Sequence, residues 1–138
     1  MAPRLAAAIG LVLAASLVVP ATAVTPKAGS FSGSTKQDRA ISFKVTPGGG
    51  KVKKVKFGFE GTCDNGARTS GTTSFGGKFK IDDGTFRATG GSNSFVKGKF
   101  TTRTKAKGKL KWRGTTFDPL SYRTVTCSSP KVRWTAKR

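Results

Sequence analysis

The side chains of this sequence that could do chemistry are a dense series of cations between Phe95 and Gly114. The cations fall on odd-numbered positions, and the apolar residues Val96, Phe100, Leu110 and Trp112 fall on even ones. Successive side chains of a β-strand point to opposite faces, so this alternation predicts one cationic face and one apolar face. The predicted binding residues are Lys97, Lys99, Arg103, Lys105, Lys107, Lys109, Lys111 and Arg113.

The segment Thr104–Gly108 is rich in small and polar residues and predicts a turn between two antiparallel strands. Lys105 and Lys107 would then lie at the tip of a hairpin, and the other cations would form two columns along its arms. Like charges on neighbouring strands repel by a few tenths of a kcal/mol per pair. Either binding of an anionic ligand or some other benefit to the protein should therefore offset the repulsion within the array.

Two functions explain the array. One is binding of an anionic polymer or surface, such as a cell-wall phosphate polymer, an acidic polysaccharide or an anionic membrane. The other is a structural or protein-interaction role, in which the lysines keep an exported β protein soluble and protect exposed strand edges. Lysine outnumbers arginine and acts as a point charge, so any binding of nucleic acid would be non-specific.

An enzyme is not expected. The sequence contains no histidine, which excludes a hydrolase triad and a histidine acid–base pair. Of the six acids, Asp64, Asp82 and Asp83 fall in turn sequences, and Glu60 lies among lysines as a charge partner. We expect no cofactor and no metal site.

A third function involves the aromatic residues Phe117 and Tyr122, which flank a short loop and are not clearly part of the core. A carbohydrate site at this loop is therefore a further alternative.

Two cysteines, Cys63 and Cys127, predict one disulfide bond. It would close a loop of about 65 residues and contribute about 4 kcal/mol in the chain-entropy model. Each cysteine directly precedes a turn sequence, so the bond is expected to join facing sheets or non-consecutive neighbouring strands at one end of the core.

The beginning of the chain predicts export. Arg4 is followed by the apolar run Leu5–Val19, and Ala21 and Ala23 have the spacing that a signal peptidase recognises. We expect a signal peptide at 1–23 and a single secreted domain at 24–138, monomeric and without a transmembrane segment after cleavage. The formal charge of +20 attracts polyanions at low ionic strength.

The remaining sequence predicts an all-β fold. Apolar residues alternate with polar ones in runs such as Ile41–Val45 and Val55–Phe59, and Gly- and Asp-rich turns separate these runs. About nine strands, or ten if 67–75 and 78–81 are separate, favour an antiparallel two-sheet sandwich of the jelly-roll kind, with a β-barrel as the alternative. Trp112 and Trp134 alternate in phase with the apolar residues of their strands, so both indoles are expected in the core.

The opening Gly29–Thr35, the two separated cysteines and the closing Trp134–Ala136 resemble the layout of small exported bacterial all-β domains of an uncharacterised family. The resemblance implies an all-β fold and secretion. It transfers no functional residue.

Overall fold

The computed structural model describes residues 23–138. The predicted signal peptide falls on residues before this range, apart from Ala23, and stays a prediction. Ten strands and one short 3-10 helix, Gly91–Asn93, make up the fold. The strands are β1 (Gly29–Thr35), β2 (Ala40–Val45), β3 (Lys51–Cys63), β4 (Arg68–Lys80), β5 (Thr85–Gly90), β6 (Ser94–Thr102), β7 (Lys105–Lys111), β8 (Arg113–Asp118), β9 (Arg123–Ser128) and β10 (Val132–Lys137).

The all-β prediction is confirmed, and every strand pairing is antiparallel. The strands belong to one sheet, in the order β5-β6-β7-β10-β1-β2-β3-β9-β8, with β4 paired to β3. This sheet curls into a half-barrel, so the architecture is the barrel-like alternative and not two separate sheets.

The sheet is continuous because the long strand β3 pairs with three other strands. β3 pairs with β4 along its whole length, and it also pairs with β2 near its start and with β9 at its end. Its register with both neighbours shifts close to Lys54, which has a positive φ of 53°. A bulge of this kind bends a strand and increases its twist. The sheet curls until Phe75 of β4 lies directly against the backbone of Gly90 in β5.

The core lies inside the curl and is dominated by aromatic rings. Phe31 and Phe43 stack with their ring centroids 5.2 Å apart, and Trp134 meets Phe43 edge-on at 5.8 Å. Phe100 and Leu110 are buried, as their even-numbered positions predict. Burial of such side chains is the main source of stability in a domain of this size.

The second tryptophan lies at the border between two clusters. Trp112 is half-buried and stacks on Phe59, with the ring planes 7° apart and the centroids at 3.9 Å. It also contacts a small separate cluster around Val125 and the disulfide. The core prediction is therefore confirmed for Trp134, while Trp112 links the main core to this smaller cluster.

The predicted disulfide is present between Cys63 and Cys127. It joins β3 to β9, which are non-consecutive antiparallel neighbours with the two cysteines directly opposite each other. Only one other residue pair, Thr62 with Ser128, continues this ladder. The disulfide thus attaches the β8–β9 hairpin to the main sheet.

The predicted turn at Thr104–Gly108 was wrong. The chain reverses at Arg103 and Thr104, where the Thr102 hydroxyl accepts a hydrogen bond from the Thr104 N–H. Threonine hydroxyls stabilise such local turns. Lys105 and Lys107 therefore lie within β7, and the register of the hairpin differs from the predicted one.

Candidate functional site

The candidate site begins with two identical triplets on neighbouring strands. Lys97–Lys99 in β6 and Lys107–Lys109 in β7 each read Lys-Gly-Lys. In the β6–β7 ladder, Lys97 lies opposite Lys109 and Lys99 lies opposite Lys107. Four exposed lysines, which we call the lysine quartet, therefore point outward from the sheet on either side of the paired glycines Gly98 and Gly108.

The strand order extends the quartet into longer rows across the sheet. Lys97 also lies opposite Arg87 of β5, and Lys109 also lies opposite Arg133 of β10. The Arg133 carbonyl accepts a hydrogen bond of 2.9 Å from the Lys36 N–H at the end of β1. The first row across the sheet is Arg87, Lys97, Lys109, Arg133 and Lys36.

A second row runs beside the first, two residues further along each strand. It contains the other half of the quartet together with hydroxyl side chains. Its members are Thr85, Lys99, Lys107, Thr135 and Ser34. The first row is thus entirely cationic, and the second is cationic in its middle and polar at its ends.

An open groove of about 1100 Å³ lies over these rows, with the backbone of Gly98 and Gly108 in its lining. Neighbouring strands are about 4.8 Å apart, so the five residues of each row span about 19 Å across the sheet. The two rows are about 6.7 Å apart along the strands. These dimensions suit an extended polymer that crosses the strands.

The cations of the groove have no acidic partners. Within residues 23–138 the one ion pair joins Arg39 to Glu60, at 2.7 Å. Asp38 and Asp82 line the groove without forming an ion pair with any of its cations. Within the described part of the chain, no cation of either row therefore has a carboxylate at ion-pair distance, and cations outnumber the two acids of the groove.

One aromatic residue shares the cationic face. Phe95 is half-buried and lies opposite Lys111, one step beyond the first row. The Arg87 guanidinium carbon lies 4.6 Å from the centroid of the Phe95 ring, and the Lys97 ammonium lies 6.0 Å from it. Cation–π attraction of this kind holds Arg87 at the end of the first row.

The structure separates the eight predicted residues into two groups. Six of them share one face: the lysine quartet lines the groove, Lys105 lies one step beyond the second row, and Lys111 lies next to Phe95. Arg103 belongs to the turn, and Arg113 begins β8, which pairs with β9. Arg103 and Arg113 therefore lie outside the groove.

Sequence reasoning missed three cations of the first row: Lys36, Arg87 and Arg133. Arg87 and Arg133 alternate with buried residues, so the period of two in the sequence predicts that their side chains point outward. Their place beside the lysine quartet depends on β5 and β10 pairing with β6 and β7. Residues so distant in the chain carry no local signal of that pairing.

The paired glycines allow the core to lie close beneath the rows. A Cβ at Gly98 would approach the Phe86 ring to 2.4 Å and the Trp134 ring to 2.9 Å. A Cβ at Gly108 would approach the backbone oxygen of Lys97 to 1.8 Å. Side chains at either position would push β6 and β7 away from each other or from the core.

Gly108→Ala should therefore destabilise the protein by about 2 to 3 kcal/mol, because a backbone atom cannot move aside as a flexible side chain does. Gly76→Ala in β4 is the matched control, since nothing lies within 4 Å of its new Cβ. The control should be neutral or stabilising by less than about 1 kcal/mol. Urea unfolding measures both, and equal losses would show that the close approach has no special role.

The acids that the sequence analysis singled out take part in local contacts and turns. Asp64 accepts a hydrogen bond from the Thr126 N–H, and Asp83 lies in the turn before β5 with a positive φ of 50°. Glu60 pairs with Arg39, not with the neighbouring lysines as predicted. Within residues 23–138, no three His, Cys, Asp or Glu side chains form a group that could hold a metal ion.

No helix in the described range is long and apolar enough to span a bilayer. No family model, curated protein or solved structure matches the chain.

Proposed function

We propose that this protein is a non-catalytic, exported binding domain that attaches to linear anionic polymers through the groove. The observation that carries the proposal is the alignment of five cations in the first row, with two more lysines beside it and no carboxylate partner. Like charges directly opposite each other on neighbouring strands cost stability. A bound polyanion would supply that counter-charge.

The arrangement favours recognition of the spacing of negative charges along a polymer, and not of particular hydrogen-bonding groups or bases. Most of the cations are lysines, which attract anions from any direction and carry no fixed fork of donors. The groove also has no exposed aromatic platform for stacking bases, since Phe95 is half-buried beneath Arg87. An acidic polysaccharide or a phosphate-containing cell-wall polymer therefore fits better than nucleic acid.

Export is supported by the disulfide, since such bonds form and persist mainly outside the reducing cytoplasm. In that setting the ligand would be a polymer of the cell surface or its surroundings. The alternative is a lysine coat that serves solubility alone. It predicts that cations inside and outside the groove contribute equally to any anion binding.

The salt dependence of heparin binding tests the proposal. Release of counterions from about six or seven contacts gives a slope of about −4 to −5 in a plot of log affinity against log salt. Replacing Lys97, Lys109 and Arg133 by glutamine should make the slope shallower by about 2. Fluorescence anisotropy of labelled heparin at several salt concentrations measures both slopes.

The matched control replaces Lys44, Lys53 and Lys56 by glutamine. These residues lie on β2 and β3, outside the groove, and the net charge changes by the same amount. The control should keep the parent slope. If both triple variants lose affinity and slope equally, the binding is diffuse and the groove is not the site.

A further inference from the structure

The large apolar side chains that the structure leaves exposed are concentrated in one place. Within residues 23–138 they are Phe117, Leu120 and Tyr122, with 57%, 93% and 83% of their surface exposed. All three belong to the end of the β8–β9 hairpin, which we call the apolar tip. Aromatic and aliphatic residues exposed together mark a surface that another phase or molecule covers.

The backbone of the apolar tip is held in place from within. The Asp118 carboxylate accepts hydrogen bonds from the Leu120 N–H, the Ser121 hydroxyl and the Asn65 amide. The Ser121 hydroxyl and, after it, the Leu120 N–H lower the pKa of Asp118, because both donate to the ionised carboxylate. The loop is thus held by these hydrogen bonds while its apolar side chains point outward.

We infer that the apolar tip inserts into the interfacial region of an anionic lipid bilayer. Leu120 and Phe117 supply apolar side chains, and Tyr122 supplies a ring of the kind enriched at the level of lipid headgroups. Arg123 lies directly opposite the Asp118 carboxylate in the hairpin, so one cation and one anion lie beside the tip and the attraction comes from the rest of the chain. The chain as a whole carries +20, which draws it to an anionic leaflet.

Other occupants fit the apolar tip less well. A sugar ring stacks on a flat aromatic platform, but the Phe117 and Tyr122 rings stand at 72° to each other. The polar atoms of Asp118 that would bind sugar hydroxyls are already engaged within the loop and with Asn65. A second copy of the chain would bring another strongly positive charge against the first.

This inference goes beyond the groove and rests on the proposed function only for the electrostatic attraction to an anionic surface. The two sites would act in sequence. The cations bring the protein to the surface in a salt-dependent step, and the apolar tip then buries area in a step that salt hardly affects.

An environment-sensitive fluorophore at residue 120 tests the insertion. Because both native cysteines are paired, Leu120→Cys in the exported protein offers a single thiol for an NBD label. On vesicles of phosphatidylcholine and phosphatidylglycerol the label should shift to the blue and brighten several-fold. The same label at the exposed Ser30, on β1, should not change. No shift at residue 120 would overturn the inference.

A second variant measures affinity without a label. Phe117→Ser combined with Leu120→Ser should lower partitioning into these vesicles by at least tenfold, as loss of two buried apolar side chains implies. Its affinity for soluble heparin should stay unchanged, which separates this outcome from failure of the groove. Thr116→Ser in the same hairpin is the control and should partition like the parent. Unchanged partitioning of the double variant, or a label shift with neutral glycan but not with vesicles, would contradict membrane insertion.

Discussion

Replacing Lys99 and Lys109 together by glutamate should lower the affinity for heparin by a factor of 100 or more, and it should also raise the thermal stability of the protein. The two residues lie diagonally within the lysine quartet. After the change, each glutamate faces a lysine across the strands: residue 99 faces Lys107, and residue 109 faces Lys97. Repulsive pairs become attractive ones.

The gain in stability follows from cross-strand pairing, where each opposite-charge pair is worth about 0.2 to 1 kcal/mol relative to a neutral one. The loss of binding follows because two contacts become repulsive at the centre of the first and second rows. Each lost or reversed cation costs about a tenfold factor or more at low salt. Opposite changes in stability and affinity are typical of residues kept for function.

Differential scanning calorimetry and heparin anisotropy measure the two effects. Lys44→Glu combined with Lys56→Glu removes the same charge from β2 and β3, outside the groove, and is the matched control. It should retain affinity within about a few fold at physiological salt, where charges further than about 8 Å away are screened. A quartet variant that is less stable than the parent, or that binds heparin as well as the control does, would contradict the proposal.

Removing the disulfide should have the largest effect on stability. The bond closes a segment of 64 residues, and its loss should cost about 4 kcal/mol by chain entropy. For a domain of this size, that lowers the melting temperature by roughly 15 °C. Cys63→Ala combined with Cys127→Ala is the variant to compare with the oxidised parent.

The position of the disulfide predicts where unfolding starts. The β8–β9 hairpin has only two residue pairs with β3, and one of them is the cysteine pair itself. Without the bond, amides of 113–128 should exchange hydrogen much faster, while those of β6 and β7 stay protected. Heparin binding should survive at temperatures where the variant remains folded. Simultaneous loss of protection in the hairpin and in the groove would show that the two regions unfold as one unit.

The sequence alone determined the directions of the side chains. The period of two in Val96–Phe100 and Ala106–Leu110 places large apolar groups inside and lysines outside, and the structure confirms this. The alternation of inward and outward side chains is a local property of each strand. It is therefore preserved even where the predicted turn was wrong. The all-β fold and the disulfide were predictable for similar reasons, since they depend on short patterns and on the presence of two cysteines.

Strand order was decided only by the tertiary structure. β10 lies between β7 and β1, and this placement brings Arg133 and Lys36 into line with Lys109. The shift of the turn to Arg103 and Thr104 paired the two Lys-Gly-Lys triplets, whereas the predicted turn would have separated them. The choice between one curled sheet and two depended on how β3 bends and which strands flank it. These features result from packing of distant aromatic residues, such as Phe43 against Trp134, and a local pattern contains no information about such contacts.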